Sequence, residues 1–397
     1  MFINMNILFL APFPIVPYEG GVQRVTDTLS KEFLELGHSV NYLCYGHINA
    51  SDEIDFLCKQ SYIELDCRTD IEIRDELEQY VTQNKITHVI NQVCDAQSNR
   101  IISLLPPSLR DKIVFTYHII PFNYLNITRK RIWDIPTHNF RQLLFKIVSL
   151  ICPFVYRKFF LKQEKRDLLK GIRLVSKCCL ISKKHEENIL RVIPDFPKEK
   201  IVAINNPNTY SIQSDLPVFH AREKAILWVG RIASGQKNLI GFIRMWSIFS
   251  RQHPDWKAYV VGDGPDFHYF KSYIIKNNIR RLQMIGSQKD VMSFYKKCRF
   301  LAVTSFGESW GMILTEAMTC GCIPIAMNTF ATLTDIIDDG INGVICEPND
   351  VNMANKLEGI VNNLDECICL SNNAILKAKN FEAEVVSHQW ISLLESL

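Results

Sequence analysis

The feature that most constrains the fold is a repeated alternation of short strand-like runs with helical stretches. Such alternation is typical of parallel α/β sheets, because the crossover between two parallel strands normally contains a helix. Each half of the chain has five such runs. They are Ile7–Leu10, Ser39–Tyr45, His88–Gln92, Ile113–Tyr117 and Cys178–Ile181, then Ala225–Val229, Ala258–Val261, Gln283–Ile285, Phe300–Val303 and Ile323–Ala326.

The length of the chain favours two domains. At 397 residues it exceeds one ordinary core and suits two α/β units of similar size. We predict two facing Rossmann-like domains over residues 1–205 and 221–381, which bind ligand at the carboxyl ends of their strands. A last helix over residues 382–397 is expected to pack back on the first domain through Val385, Trp390, Ile391 and Leu394.

Composition and net charge argue against a nucleic-acid-binding protein and against a disordered chain. A formal charge of +3 is too small to indicate nucleic-acid binding, and 47% hydrophobic with 22% charged residues is typical of a globular protein. Charge is concentrated locally, however. Arg129–Arg173 holds twelve Lys or Arg and three acidic residues around an apolar run. This region is either a surface that docks on anionic lipid or an in-domain helix with a solvated basic face; Pro153 argues against a spanning helix.

Cysteine usage and the N-terminus indicate a cytoplasmic protein, with peripheral contact at the inner face of the membrane as an option. Thirteen cysteines include no CxxC and fall largely in apolar runs, which predicts buried free thiols. The pairs Cys320/Cys322 and Cys367/Cys369 lack the spacing of zinc ligands, so no metal is expected. Met5–Pro12 has no basic n-region and is expected to be a first strand, not a signal peptide.

The segment from Ser305 to Met318 is the densest candidate site. A strand is expected to lead through glycines into a helix whose first N–H groups can bind a phosphate or sugar hydroxyls. Glu316, about one turn into that helix, can accept bonds from two vicinal hydroxyls, as on a ribose, and Glu308 can do so for a pyranose. The alternative is an ordinary surface Glu with a partly exposed helical Glu. The donor N–H groups are those of Gly311, Met312, Ile313 and Leu314.

The spacing Glu308-x7-Glu316 resembles the E-x7-E motif of the GT4 family of retaining glycosyltransferases (glycosyl transferases group 1), which have the GT-B fold. The resemblance continues through Ala317-Met318-x-Cys320-Gly321-x-x-Pro324 and Asp338-Asp339-Gly340-x-Asn342-Gly343. It implies that residues 221–381 bind a nucleotide-sugar donor. It also implies that residues 1–205 bind the acceptor.

Three further elements of the C-terminal half match the family. Gly230-Arg231 followed by Lys237 resembles its phosphate clamp, in which the cations stabilise charge on the leaving diphosphate. Gly262-Asp263-Gly264-Pro265 resembles its G-x-G-P turn, where glycine lets the backbone pass close to another loop or to ligand. The segment expected to read the nucleotide base comprises Ile285, Gly286 and Ser287.

The N-terminal half matches more loosely. Gly20 and Gly21 follow the first strand and resemble the loop that closes over the donor diphosphate, although a plain tight turn would look the same. His118 follows the strand Ile113–Tyr117, where a family histidine reaches the donor sugar and the acceptor. A histidine at a strand end is also often a satisfied structural group.

The resemblance implies a retaining transferase with His118, Arg231, Lys237 and Glu308 as its catalytic residues. A hexose or N-acetylhexosamine would pass from a UDP- or GDP-linked sugar to a saccharide or polyprenyl-linked saccharide in surface polysaccharide synthesis. The cationic clamp would replace a metal, and no cofactor besides the donor is expected. The alternatives are a non-catalytic GT-B partner or glycan-binding protein, and a nucleotide-sugar epimerase. Retention of both cations and both glutamates argues against a degenerate copy.

Overall fold

The computed structural model describes residues 4–17, 20–46, 57–66, 68–123, 140–212, 215–233 and 235–397. The chain divides into two compact units. The N-terminal unit comprises Met1–Thr209 together with Ala383–Leu397, and the C-terminal unit comprises Tyr210–Glu382. Each unit has its own hydrophobic core.

The N-terminal unit is built on a parallel sheet, which has seven strands among the described residues, in the order β3-β2-β1-β4-β5-β6-β7. This is the doubly wound order, in which ligands bind at the carboxyl ends of the strands near the point where the order reverses. The strands are β1 (Asn6–Ala11), β2 (Ser39–Cys44), β3 (Lys59–Tyr62), β4 (His88–Asn91), β5 (Ile113–Tyr117), β6 (Lys177–Leu180) and β7 (Ile201–Ala203).

Helices connect these strands. The sequence predicts a first helix over about residues 22–36 that ends at Gly37, and the structure agrees: Gly37 adopts a φ of +86°, and the His38 N–H donates to the Phe33 carbonyl at 2.9 Å. This is a Schellman cap with glycine at the C′ position. The helices are α1 (Gly21–Glu35), α2 (Asp70–Gln83), α3 (Ala96–Leu104), α4 (Phe140–Ile151), α5 (Pro153–Leu174) and α6 (His185–Val192).

The C-terminal unit repeats the plan with the strand order β10-β9-β8-β11-β12-β13, all parallel. Its strands are β8 (Glu223–Val229), β9 (Lys257–Val261), β10 (Leu282–Gly286), β11 (Cys298–Val303), β12 (Ile323–Met327) and β13 (Val344–Cys346). Its helices are α7 (Leu239–Phe249), α8 (Phe267–Lys276), α9 (Met292–Lys297), α10 (Met312–Thr319), α11 (Leu333–Ile336), α12 (Asp350–Val361) and α13 (Leu364–Ala378).

The last helix, α14 (Ala383–Glu395), belongs to the N-terminal unit and packs against α1. Two Rossmann-like units with a returning helix are therefore confirmed. One predicted contact is wrong: Val385 is 41% exposed, and the neighbouring Val386 is fully buried with Trp390 and Leu394. Val386, Trp390 and Leu394 are spaced by four, so they share one face of a helix, which Val385 does not.

The described cysteines are free thiols, and most are buried as predicted, although Cys152 and Cys369 are exposed. Burial raises the pKa of the Cys320 thiol to about 12, so that thiol is protonated and inert at neutral pH. No helix in the described part of the chain is both long and apolar enough to cross a membrane.

Candidate functional site

Lys237 and Glu308 form the central contact of the candidate site in the C-terminal unit. The Lys237 Nζ lies 2.7 Å from the Glu308 Oε1. The carboxylate side chain is only 9% exposed and the lysine side chain 26% exposed. Burying a carboxylate to this degree is costly unless it has a hydrogen-bonding partner. Sequence analysis assigned these residues to different parts of a donor; the structure pairs them with each other.

The two residues meet because their loops are joined by hydrogen bonds on both sides. The Phe306 N–H donates to the Gln236 carbonyl at 2.7 Å, and the Gln236 side-chain amide donates to the Gly307 carbonyl at 2.8 Å. These two hydrogen bonds tie the loop after β8 to the loop after β11. Sequence analysis missed Gln236, which shows no local signal of this role.

Asn238 anchors the same loop to the start of α7. It adopts a left-handed conformation with a φ of +50°, and its Oδ1 accepts from the Gly241 N–H at 3.2 Å as the helix N-cap. Its amide donates to the Thr304 carbonyl at 3.0 Å, and the Thr304 hydroxyl donates back to the Asn238 carbonyl at 2.9 Å. Asparagine just before an apolar helix is an N-cap signal, and it could have identified this residue.

Gly262 and Gly264 allow a backbone turn to lie directly against the loop after β8. A Cβ on Gly262 would stand 1.9 Å from the Gly230 carbonyl oxygen, and one on Gly264 would stand 2.2 Å from the Ile232 carbonyl oxygen. The Ile232 N–H donates to the Asp263 carbonyl at 2.8 Å. The predicted close approach of this glycine turn to another part of the backbone is confirmed, and that part is the loop after β8. The turn thus holds the backbone on both sides of Arg231, whose side chain is exposed.

The predicted base-reading segment lies at the carboxyl end of the edge strand β10. Gly286 has a φ of +86°, and its carbonyl accepts from the Gly262 N–H at 2.9 Å. Ile285 is half-buried and Ser287 is exposed. The segment is therefore tied to the glycine turn, and its role in base recognition stays a prediction.

The start of α10 supplies fewer backbone donors than expected. Gly311 is the N-cap, with a φ of +94° that favours glycine and no side-chain cap. The Leu314 N–H donates to the Gly311 carbonyl at 2.8 Å, so the prediction that Leu314 has a free N–H is wrong. The first turn is tight enough to satisfy that donor internally. The N–H groups of Gly311, Met312 and Ile313 remain the candidate donors of this helix start, and Met312 and Ile313 are half-buried.

Glu316 is a buried carboxylate, only 2% exposed, so the alternative of a partly exposed helical residue is wrong. Its Oε2 accepts a hydrogen bond from the Tyr295 hydroxyl at 3.1 Å. Tyr295 lies on α9, and sequence analysis missed it because the two residues come from different helices. A buried carboxylate needs such donors, and ligand hydroxyls would serve it equally well.

In the N-terminal unit, His118 follows β5 and lines a cavity of about 350 Å³. Its Nε2 is hydrogen-bonded to the buried Gln92 side chain. Burial lowers the pKa of His118 to about 4, so the ring is neutral at pH 7. Other residues that line the cavity are Phe13, Val22, Cys94, Asp95, Thr116, Phe160, Gln163 and Asp167.

Glu164 on α5 also lines this cavity, and sequence analysis missed it. Its Oε1 accepts from the Tyr117 hydroxyl and from the Phe122 N–H, the latter at 2.9 Å. Burial raises the pKa of Glu164, while those two hydrogen bonds oppose the rise. Within the described residues, its buried Oε2 has no hydrogen-bond partner. An unpaired buried acceptor beside a cavity is a candidate contact for a ligand hydroxyl.

Gly20 and Gly21 lie at the start of α1. Gly20 is the N-cap in extended conformation, and Gly21 is the first helical residue. A Cβ on Gly20 would stand 2.7 Å from the Gln23 Oε1, the end of a flexible side chain that can move away. Contact with a donor diphosphate stays a prediction for both residues.

The depressed pKa of His118 predicts a pH dependence of stability. The unfolded chain protonates this ring near its ordinary pKa of about 6.5, whereas the folded chain does so near 4. Between those values the unfolded state binds more protons, so the free energy of unfolding falls as pH falls from about 6.5 to about 4. Urea unfolding at several pH values should show a shallower fall for His118→Gln than for the wild type. Equal slopes, or an NMR titration of His118 near pH 6.5, would contradict the assignment.

Residues 216–376 match the family model described as Glycosyl transferases group 1. The match covers most of the C-terminal unit, which is about two fifths of the chain. The match covers the loops after β8 and β11, both glutamates and the glycine turn described above. It confirms the family resemblance, while the GT4 subfamily stays a prediction.

Curated relatives agree with this assignment. An uncharacterized glycosyltransferase of Haemophilus influenzae is 25% identical over 201 residues, which is 50% of this chain and 56% of the relative. The GalNAc-alpha-(1->4)-GalNAc-alpha-(1->3)-diNAcBac-PP-undecaprenol alpha-1,4-N-acetyl-D-galactosaminyltransferase of Campylobacter jejuni is 23% identical over 49% of this chain and 55% of its own length. The match to each thus spans about half of the relative.

The whole chain resembles solved structures. Anabaena HepE in complex with UDP and glucose superposes with a TM-score of 0.69 at 14% identity, covering 99% of this chain and 100% of HepE. The chain therefore has the predicted GT-B fold. Among the residues that the structure describes, no group of three or more His, Cys, Asp or Glu could hold a metal ion.

Proposed function

We propose that this chain is a retaining, metal-independent glycosyltransferase of the GT4 type, cytoplasmic and in peripheral contact with the inner face of the membrane. The observation that carries the proposal is the Lys237–Glu308 ion pair, held by the two loops of the C-terminal unit that also present Arg231 and the start of α10. Lys237 supplies a cation for a leaving diphosphate, and Glu308 supplies a carboxylate for a sugar. The family match and the relatives' names support the same reading.

Donor binding would exchange partners within this pair. A diphosphate carries more negative charge than the Glu308 carboxylate and would draw Lys237 and Arg231 to its oxygens. Glu308, nearly excluded from water, then needs new donors, and the hydroxyls of the transferred sugar supply them. The cations and the helix N–H groups would stabilise charge that grows on the diphosphate as the glycosidic bond breaks. Glu316 would accept the ribose hydroxyls.

The acceptor would bind in the cavity of the N-terminal unit. The neutral His118 ring donates through its Nε2–H to the Gln92 amide oxygen, so its Nδ1 can accept one hydrogen bond, and Glu164 offers a buried oxygen that has no hydrogen-bond partner among the described residues. Both suit hydroxyl groups of a saccharide. The neighbour HepE was solved with UDP and glucose, and the Campylobacter relative carries an undecaprenol-linked substrate in its name. We therefore propose a UDP- or GDP-linked hexose or N-acetylhexosamine as donor, and a saccharide or polyprenyl-linked saccharide of surface polysaccharide synthesis as acceptor.

A donor panel tests this function directly. The protein is incubated with UDP- and GDP-linked hexoses and N-acetylhexosamines, with and without saccharide acceptors and with EDTA, while nucleoside diphosphate release is measured. Release that survives EDTA, with a product of the donor's anomeric configuration by NMR, is the expected result. Donor binding without release under every condition would indicate a non-catalytic protein. An epimerised sugar nucleotide without transfer would indicate an epimerase.

Replacing Glu164 with Gln should affect the acceptor and spare the donor. The change keeps the shape of the side chain but removes the charge that accepts from hydroxyls, and hydrogen bonds to charged groups contribute about 1.5–3 kcal/mol. We expect the KM for acceptor to rise about 10- to 100-fold, with slow donor hydrolysis in the absence of acceptor unchanged. Glu384→Gln on α14 is the control. Equal acceptor KM in wild type and Glu164→Gln would remove this residue from the site.

A further inference from the structure

Helix α4 presents an apolar stripe to solvent. The stripe has helical spacing, and each member is between 40% and 76% exposed. On the other side, Phe145 packs inward and Ser149 is fully buried. This reverses the usual arrangement, in which the apolar face of a helix is turned to the core. The stripe consists of Phe140, Leu143, Leu144, Ile147, Val148 and Ile151.

The first turns of α5 extend this surface. Phe154 and Phe159 are 66% and 53% exposed, and the exposed Lys158 and Lys162 lie between and beside them. We call the α4 stripe together with these four α5 residues the hairpin face. Exposed apolar side chains in this number on two packed helices mark a candidate binding site.

The hairpin face is fixed by a small core of its own. Tyr156 is buried between Phe145 and Phe160, with ring centroids 6.0 Å and 4.3 Å away. The Phe145 and Phe159 rings lie 5.1 Å apart. These contacts lock α4 against α5 and leave the stripe pointing outward. The exposure of the stripe therefore follows from how the two helices pack.

Charge identifies the partner class. Residues 140–174 contain nine Lys or Arg and only two acidic residues, Glu164 and Asp167. Asp167 accepts from Arg166 at 3.1 Å, and Glu164 is half-buried by the cavity. An apolar stripe bordered by cations suits a surface with an apolar interior and anionic headgroups, where lysine stems extend their ammonium groups toward phosphate. The earlier alternative, a helix with a solvated basic face, does not account for the exposed apolar stripe.

We propose that the hairpin face docks on an anionic lipid surface, with the α4 stripe, Phe154 and Phe159 in the headgroup–acyl boundary and Lys158 and Lys162 on lipid phosphates. The predicted basic region begins at Arg129, and its part over residues 129–139 lies outside the described residues. Both helices would lie in the plane of the membrane–water interface. Pro153 stands between them at the start of α5, so they do not form one long helix.

The same helix leads from the hairpin face to the acceptor cavity. Phe159 belongs to the face, and Phe160, Gln163 and Glu164 line the cavity on the next turn and a half of α5. Docking would bring the cavity within about 10 Å of headgroups, since a helix rises about 1.5 Å per residue. An acceptor carried on a membrane lipid would then enter from that side. This last step rests on the proposed transferase activity, whereas docking itself does not.

Vesicle sedimentation tests the docking. The full chain is mixed with phosphatidylcholine vesicles, with and without about one third phosphatidylglycerol, at about 50 mM and about 500 mM NaCl. We expect binding to the anionic vesicles at low salt and weaker binding at high salt. Leu144→Ser with Phe154→Ser should lower the partition coefficient on the order of 100-fold. Lys158→Gln with Lys162→Gln should lower it roughly 30-fold and flatten the salt dependence.

Matched controls separate docking from folding and from catalysis. Tyr269→Ser with Ile275→Ser, which removes two equally exposed apolar side chains from α8, should leave vesicle binding unchanged. Donor turnover with a water-soluble acceptor should be the same in Leu144→Ser/Phe154→Ser and wild type, which excludes misfolding.

Failure to bind anionic vesicles, or binding that the hairpin variants do not reduce, would overturn the proposal. So would a dimer that the same variants dissociate, because a second copy would then cover the face. If the chain binds vesicles but turns over no donor, the docking proposal is supported and the proposed transferase activity is rejected.

Discussion

Lys237→Met is expected to lower kcat/KM for donor turnover about 10³-fold, because it removes a positioned cation that stabilises charge on the leaving diphosphate. It also leaves Glu308, 9% exposed, without its partner at 2.7 Å. Loss of a fully buried partner costs about 3–5 kcal/mol in the free energy of unfolding. Since Lys237 is 26% exposed, we expect a smaller cost of about 1–2 kcal/mol. Steady-state kinetics and urea unfolding measure the two effects.

Lys224→Met is the matched control in the same unit. Lys224 is paired with Asp255 at 2.7 Å, but both side chains are about half exposed, so its loss should change neither quantity appreciably. Glu308→Gln and the double variant complete a cycle. If the two residues act on different parts of the donor, the kinetic losses should add, while the stability losses should not. Full activity of Lys237→Met would remove the lysine from the reaction.

Gly262→Ala is expected to destabilise the chain by about 3 kcal/mol or more, the largest effect on stability that we predict. The new Cβ would lie 1.9 Å from the Gly230 carbonyl oxygen, and backbone cannot yield as a side chain can. Overpacking of this kind costs about 1–3 kcal/mol, and the φ of +142° adds a further penalty for any residue with a Cβ. Because Gly230 precedes Arg231, donor affinity should fall as well. Urea unfolding and donor titration measure these changes.

Two other glycines separate contact from conformation. Gly286 has a φ of +86° with nothing within 4 Å of its would-be Cβ, so Gly286→Ala should cost only about 1–2 kcal/mol. Gly359 lies in α12, also with open space, and Gly359→Ala should stabilise the chain by about 0.5–1 kcal/mol. Equal costs for Gly262→Ala and Gly286→Ala would show that the close approach to Gly230 is not tight.

Where the signal is local, the sequence predicted the structure well. Ten strands, the end of α1 at Gly37 and the glycine turn depend on short apolar runs or on one backbone conformation. The strands it missed are short ones at sheet edges: β3 is polar, and β7 and β13 have three residues each. An edge strand can be stabilised by pairing with one neighbour and needs no long apolar run.

By itself, then, the sequence determined the two α/β units and the family match of residues 216–376. It also identified the residues that are candidates for binding the sugar donor, because the spacing of the motif along one loop and helix fixes them locally. Only the tertiary structure decided their partners. Lys237 and Glu308 are 71 residues apart and meet because β8 and β11 are neighbours in the sheet; Tyr117 and Glu164 are 47 apart and meet because α5 packs on the core around β5. It also decided which side of α4 faces water. Periodicity reveals an apolar stripe, but only packing against Tyr156 leaves that stripe outside.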